Sequence, residues 1–161
     1  MKYELYDLTI SLIEQRGVKI RDIAELVLIS QKKYYKDLTI EEAEFNVERV
    51  LRKREVQNVI ITGIQLDKLA EEGKISSPLD KILMEDNPLY GVDEIMALSI
   101  CNIYGSIGFT NYGYLDKLKP GILEKIDKKV EGKCNVFLDD LIGAVAAAAC
   151  SRLAHNYGWE I

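Results

Sequence analysis

The sequence predicts an all-α fold: a compact helical array packed around one central apolar C-terminal helix at about residues 139–155. Three observations carry this expectation. Residues 141–150 run Leu-Ile-Gly-Ala-Val, four alanines and a cysteine, and a helix that is apolar all round belongs in the middle of a core. Upstream, apolar residues recur at helical spacing in segment after segment. Helix punctuation recurs with them, as a capping box, prolines at helix starts and glycines past helix ends.

Leu5, Leu8, Leu12 and Ile13 mark the first helix, and Gly17 supplies its stop. Ile20, Ile23, Ala24, Val27 and Leu28 share one face of a second, with Lys32 and Lys33 at its end where cations suit the dipole. Tyr34 and Tyr35 are expected to continue that buried stripe. Thr39-Ile40-Glu41-Glu42 has the T-x-x-E form of a capping box, so a helix starts there. Its face runs Ala43, Val47, Val50, Leu51, then Arg52-Lys53-Arg54-Glu55 interrupts it, and a new face resumes at Val56, Val59, Ile60, Gly63 and Ile64. One bent helix or two joined helices fit this pattern. Asn58-Val59-Ile60-Ile61-Thr62 is rich in β-formers, but the helical pattern continues to Glu72 and Gly73 ends it, so helix is favoured.

Residues 73–91 form the one plausible internal boundary, with a short helix at 78–85 between loops. Another helix is expected from Val92 to about Tyr104. Gly105, Gly108 and Gly113 leave the helical state of the next segment open. Pro120 is expected to open a helix reaching about Val130, closed by Gly132. The 161 residues are read as a single all-helical domain, 1–161, with amphipathic N-terminal helices over 1–75 and the part carrying the site over 76–161.

Apolar types make up 48% and charged types 29%, values of an ordinary globular chain. The net charge of −5 argues against nucleic acid as a partner, since backbone binding needs a basic face. Three widely spaced cysteines without a C-x-x-C pair suggest neither a disulfide framework nor a zinc site. No signal core is recognisable, and the longest apolar run is far short of the about 20 residues that span a bilayer. No transmembrane segment is therefore expected. The expected location is the cytoplasm, with peripheral attachment at a membrane as its variant.

Carboxylates cluster in the second half, as Asp93-Glu94, Asp116, Asp127 and Asp139-Asp140, each near a helix end. Carboxylates from facing helices build hard-metal sites, because Mg²⁺ prefers oxygen ligands and keeps waters that a substrate replaces. The sole histidine, His155, and the cysteines lack ligand spacing. Lys119 stands just before Pro120, where a new helix would place free N–H groups beside an ammonium, a corner suited to an anion. Near a carboxylate-held metal, that corner describes a phosphate site. Plainer explanations exist. Taken alone, Asp93-Glu94 reads as a helix cap in preference to a ligand pair, and Asp139 alone has the same explanation. Asp140 does not, because one cap needs one acceptor and the next position is turned about 100° away. Asp116, Lys119 and Asp127 also read as solvated charges, the usual fate of such residues, and Arg49, Arg52, Lys53 and Arg54 read as a wet helix face in preference to a nucleic-acid contact.

Asp93-Glu94, Leu115-Asp116-x-x-Lys119-Pro120, Asp127, Gly132 and Asp139-Asp140-x-x-Gly143 together resemble the signature of the phosphatidylglycerophosphatase A family, in order and approximate spacing. The resemblance covers about residues 91–150, and residues 1–75 carry no recognisable part of it. It departs from the family pattern at Gly113, where the family has an arginine, and at Val92, where it has a tryptophan. It implies a magnesium-dependent phosphatase that releases the terminal phosphate of phosphatidylglycerophosphate, or of a related ester.

The resulting expectation is a soluble Mg²⁺-dependent phosphomonoester hydrolase, with Mn²⁺ as the alternative ion. Asp116, Asp139 and Asp140 are the expected metal ligands, and Lys119 the phosphate ligand. Asp93, Glu94 and Asp127 are the expected catalytic carboxylates. Its partners would be a phosphate-ester substrate, with a lipid headgroup at a membrane surface as one form, and further copies of itself in a homo-oligomer. The competing expectation is a non-catalytic helical interaction or regulatory protein that presents residues 49–54 to an acidic partner.

Overall fold

The computed structural model describes residues 2–157, with the side chains of residues 2 and 3 left aside. The described residues form α1 (Lys2–Gln15), α2 (Ile20–Gln31), α3 (Ile40–Leu51), α4 (Arg54–Glu71), α5 (Leu79–Glu85), α6 (Val92–Asn102), α7 (Ser106–Leu118), α8 (Ile122–Asp127) and α9 (Leu138–Tyr157), with no strand among them. The all-helical expectation is met. α9 runs through the middle, touching α2, α3, α4, α6, α7 and α8, and every residue from Leu138 to Ser151 is buried.

The local signals explain the boundaries. At the start of α3, Thr39 Oγ1 accepts from Glu42 N at 3.2 Å while Glu42 Oε2 accepts from Thr39 N at 3.0 Å, the reciprocal box read from the sequence. The charged interruption at 52–55 separates α3 from α4, and Gln57 Nε2 donates to the freed Leu51 carbonyl at 2.8 Å. The β-rich stretch at 58–62 lies inside α4, where packing of Val56, Ile60 and Ile64 overrides β propensity.

α4 approaches α9 closely at Gly63. A Cβ there would stand 2.5 Å from Leu141 Cδ1 and 3.1 Å from Phe137 Cβ, so no larger residue fits without displacement.

Two expectations are corrected, those on Tyr34 and on the helix after Pro120, and one point left open is resolved. Tyr34 is 66% exposed, outside the buried stripe, because α2 has already ended and the chain turns. The glycine-punctuated segment is one continuous helix, α7, whose Gly108 lets it lie against the end of α6 near Cys101. The helix after Pro120 starts only at Ile122 and has six residues, so the anion corner expected beside Lys119 does not form. Lys119 instead ends α7 in a left-handed conformation, φ 45°, an uncommon state for a side-chain-bearing residue.

Candidate active site

The mouth of α9 is built by α4 and the loop at 128–137. Asp67, one turn after Gly63, is fully buried, and its two carboxylate oxygens accept from Phe137 N at 3.2 Å and Leu138 N at 3.1 Å. It thus caps α9 from another helix, complementing the dipole of that end. One turn further along α4, Glu71 Oε1 accepts from Cys134 N at 2.8 Å and from Arg16 Nη2 at 2.7 Å. Arg16 also binds the Cys134 carbonyl and Asn135 Oδ1. Burial pushes Asp67 up to about 7 against these hydrogen bonds.

Asp67 takes the N–H groups of Phe137 and Leu138, so the doublet Asp139-Asp140 is not needed there, and the only backbone N–H that Asp139 meets is that of the adjacent Asp140. Both residues are buried, at 8% and 5% exposure, and turn towards α7 and Lys119. Lys119 Nζ stands 2.6 Å from Asp139 Oδ2, 2.8 Å from Asp116 Oδ1, 3.7 Å from Asp140 Oδ1 and 3.9 Å from Asp127 Oδ1. Four carboxylates from three helices therefore converge on one ammonium. Tyr112, buried on α7, donates its hydroxyl to Asp140 Oδ1 at 3.0 Å.

Negative charge exceeds positive here. Burial raises the pKa of Asp139, partly offset by Lys119; burial and then the charge of Asp139 raise that of Asp140, with Asp116 and Asp93 adding to it. Lys119 is raised, because Asp139, Asp116 and Asp140 outweigh the desolvation that pulls it down. Tyr112 is held as the neutral phenol by burial and by Asp140.

Asp93 belongs to this field, and its Oδ1 is buried with no hydrogen-bond partner. Glu94 lies exposed at the start of α6, its charge felt at Tyr112. Asp127, with half its side chain in solvent, lines a narrow cleft with Asp139, Lys128, Lys129 and Lys133.

The donor chemistry suits a hard cation: oxygen only, excess negative charge and one orphaned carboxylate oxygen. The focus of these oxygens is held by Lys119 Nζ, and the described residues contain no ready-made group of three His, Cys, Asp or Glu metal ligands. Thiol chemistry has no support, since burial pushes Cys101, Cys134 and Cys150 each up to about 12. His155 is exposed near the far end of α9.

The family model of phosphatidylglycerophosphatase A matches residues 10–155. The chain belongs to the phosphatidylglycerophosphatase A family. The uncharacterized Bacillus subtilis protein YutG is 63% identical over 144 residues, 89% of this chain and 87% of that protein. Among solved structures, the low temperature requirement C protein of Listeria monocytogenes has 58% identity and a TM-score of 0.94, with 96% of this chain and 97% of that one covered. A Bacillus stearothermophilus protein of unknown function has 62% identity and a TM-score of 0.91, with 94% of each chain covered.

Membership in the phosphatidylglycerophosphatase A family implies phosphatase chemistry in general. The match extends well beyond the residues 91–150 expected from motifs, and the structure supplies a reason. Arg16, Asp67 and Glu71, all in the N-terminal half, hold the loop and the first turn of α9. Of the family-signature residues, Asp116, Lys119, Asp127, Asp139 and Asp140 meet directly, Asp93 joins through its field, and Glu94 stays at the rim. Gly113, where the family has an arginine, faces open space on α7.

Asp67 and Tyr112 were missed in the sequence. Asp67 did leave a trace, a carboxylate at the i+3/i+4 position after Gly63 and Ile64 on the buried stripe of α4. Tyr112 left none.

Proposed function

We propose that this protein is a Mg²⁺-dependent phosphomonoester hydrolase, with Mn²⁺ as the alternative ion, acting on phosphatidylglycerophosphate or a related ester. The observation that carries the proposal is the convergence of Asp116, Asp127, Asp139 and Asp140 on Lys119 at the mouth of a buried helix. Asp116, Asp139 and Asp140 would hold the ion. When bound, it would supply Lewis-acid stabilisation of phosphoryl oxygens and a water of lowered pKa.

The chain's own groups do the rest. Lys119, released from its carboxylates, neutralises charge developing on the phosphoryl group. Water forms the new P–O bond and gives a proton to Asp127, which reaches solvent and the cleft; the ester P–O bond breaks, and the departing alkoxide takes that proton back from Asp127. Asp93 and Glu94 border the entrance as further acid or base groups. Tyr112 holds Asp140 in place through its hydrogen bond.

A lipid headgroup as substrate draws support from the rim. Leu118 precedes Lys119, Val92 precedes Asp93, and Val130 lines the Asp127 cleft, all three exposed. No helix among the described residues is long and apolar enough to cross a membrane, so a lipid would be met at its headgroup.

The deciding experiment is a metal-supplemented phosphatase screen of wild type and Asp140→Asn, comparing phosphatidylglycerophosphate with water-soluble phosphate esters. Turnover by wild type with one of these, abolished in a folded Asp140→Asn, supports the proposal. Equal release by both proteins excludes the site.

A further inference from the structure

We propose that Asp67 is the positioning residue of this site, fixing the first turn of α9 and thereby where the Asp139 and Asp140 carboxylates stand. The proposal rests on the hydrolase assignment above for its kinetic test, and on geometry for its structural one.

Gly63, Asp67 and Glu71 follow one another at i, i+4 and i+8, a single ridge of α4 facing 134–141. The ridge makes three successive contacts. Gly63 admits Leu141 and Phe137 against the α4 backbone, Asp67 takes the N–H groups of Phe137 and Leu138, and Glu71 takes that of Cys134. Aspartate is short, so it reaches those donors only because the absent side chain at Gly63 lets the two helices close. Cys134 Sγ, 3.4 Å from Asp67 Oδ1, closes the remaining side.

The doublet begins at the residue after Leu138. Each helix position is turned about 100° from the last, so a slip of one residue at the start of α9 would carry Asp139 away from Lys119 and put Leu138 or Asp140 in its place. A helix capped by its own Asp139 would spend the carboxylate that now meets Lys119 at 2.6 Å. Supplying the cap of Phe137 and Leu138 from α4 sets the register and leaves both doublet carboxylates facing Lys119. Two acceptors are needed for two donors; an amide has only one, and its NH₂ would face the other N–H.

The experiment compares Asp67→Asn, Asp67→Glu and Thr39→Ala, the last removing a cap remote from the site. Thermal unfolding, kcat and KM on the ester that wild type hydrolyses, and the ¹³C carboxylate resonances of Asp139 and Asp140 are read for each. Asp67→Asn is expected to lower kcat about tenfold or more with KM within about twofold, and to move both resonances. Asp67→Glu keeps the charge and both acceptors, so it should fold, yet its extra methylene displaces the turn and lowers kcat as well. Thr39→Ala should lose stability alone.

Wild-type kcat and unmoved resonances in both Asp67 variants would overturn the proposal, leaving Asp67 a cap and nothing more. Failure of both to fold would overturn it equally, since positioning requires a folded protein with a displaced doublet. If wild type hydrolyses no ester, the hydrolase assignment falls, and the resonances alone decide for or against positioning.

Discussion

Lys119 Nζ lies 2.6 Å from Asp139 Oδ2, joining the end of α7 to the mouth of α9. On the proposed assignment a divalent cation would find its oxygens where the ammonium sits, so the two would compete for the same donors. Lys119→Met should therefore bind Mg²⁺ more tightly than wild type in calorimetric titration, while turnover falls about 100-fold or more through loss of charge stabilisation. Equal or weaker Mg²⁺ binding would place the ion elsewhere.

Tyr112 donates to the ionised form of Asp140 and so favours it. Tyr112→Phe removes that donor from a buried carboxylate. The acid limb of kcat/KM should move to higher pH, because Asp140 then ionises less readily. Stability should fall by about 1 kcal/mol, measurable by urea unfolding.

Asp67, Asp139 and Asp140 all have folded-state pKa values raised mainly by burial, that of Asp67 to about 7. The native state therefore holds protons that the unfolded chain releases near pH 4. Stability from these groups is full below that pH and is lost as pH rises through about 7. Glu71, lowered chiefly by Arg16 against its desolvation, acts in the opposite sense at the acid end. Without divalent cation, Tm should be higher near pH 5 than near pH 8, and Asp140→Asn should flatten the slope. A Tm that rises steadily to pH 8 would contradict this.

Gly63→Ala places a methyl group 2.5 Å from Leu141 Cδ1 at the crossing of α4 and α9. Overpacking of this kind costs about 1–3 kcal/mol, so Tm should drop by about 2–12 °C in a calorimetric scan. An unchanged Tm would mean that the crossing is looser than its geometry shows.

Much of the fold was legible in the chain because its signals are local. The apolar run at 141–150 has no polar face to offer water, and the Thr39–Glu42 box closes within one turn. Where signals were weak, neighbours decided. Gly108 costs α7 helix propensity, yet contact with α6 near Cys101 keeps the helix whole. Pro120 announced a helix, but the left-handed Lys119 and Gly121 delay it to Ile122, and that delay turns the lysine towards carboxylates rather than towards an anion corner.

The site divides along the same line. By itself the sequence determined the helical class, the buried rod at its centre and the identity of the acidic residues and the lysine, since composition, periodicity and motif spacing are properties of short stretches. Only the tertiary structure decided that Asp116, Asp127, Asp139 and Asp140 share one ammonium, and that Asp67 caps the rod at Phe137 and Leu138. Phe137 and Leu138 lie 70 and 71 residues from Asp67, and nothing local marks which distant carboxylate will reach them. Packing makes that choice, through the close approach that Gly63 permits.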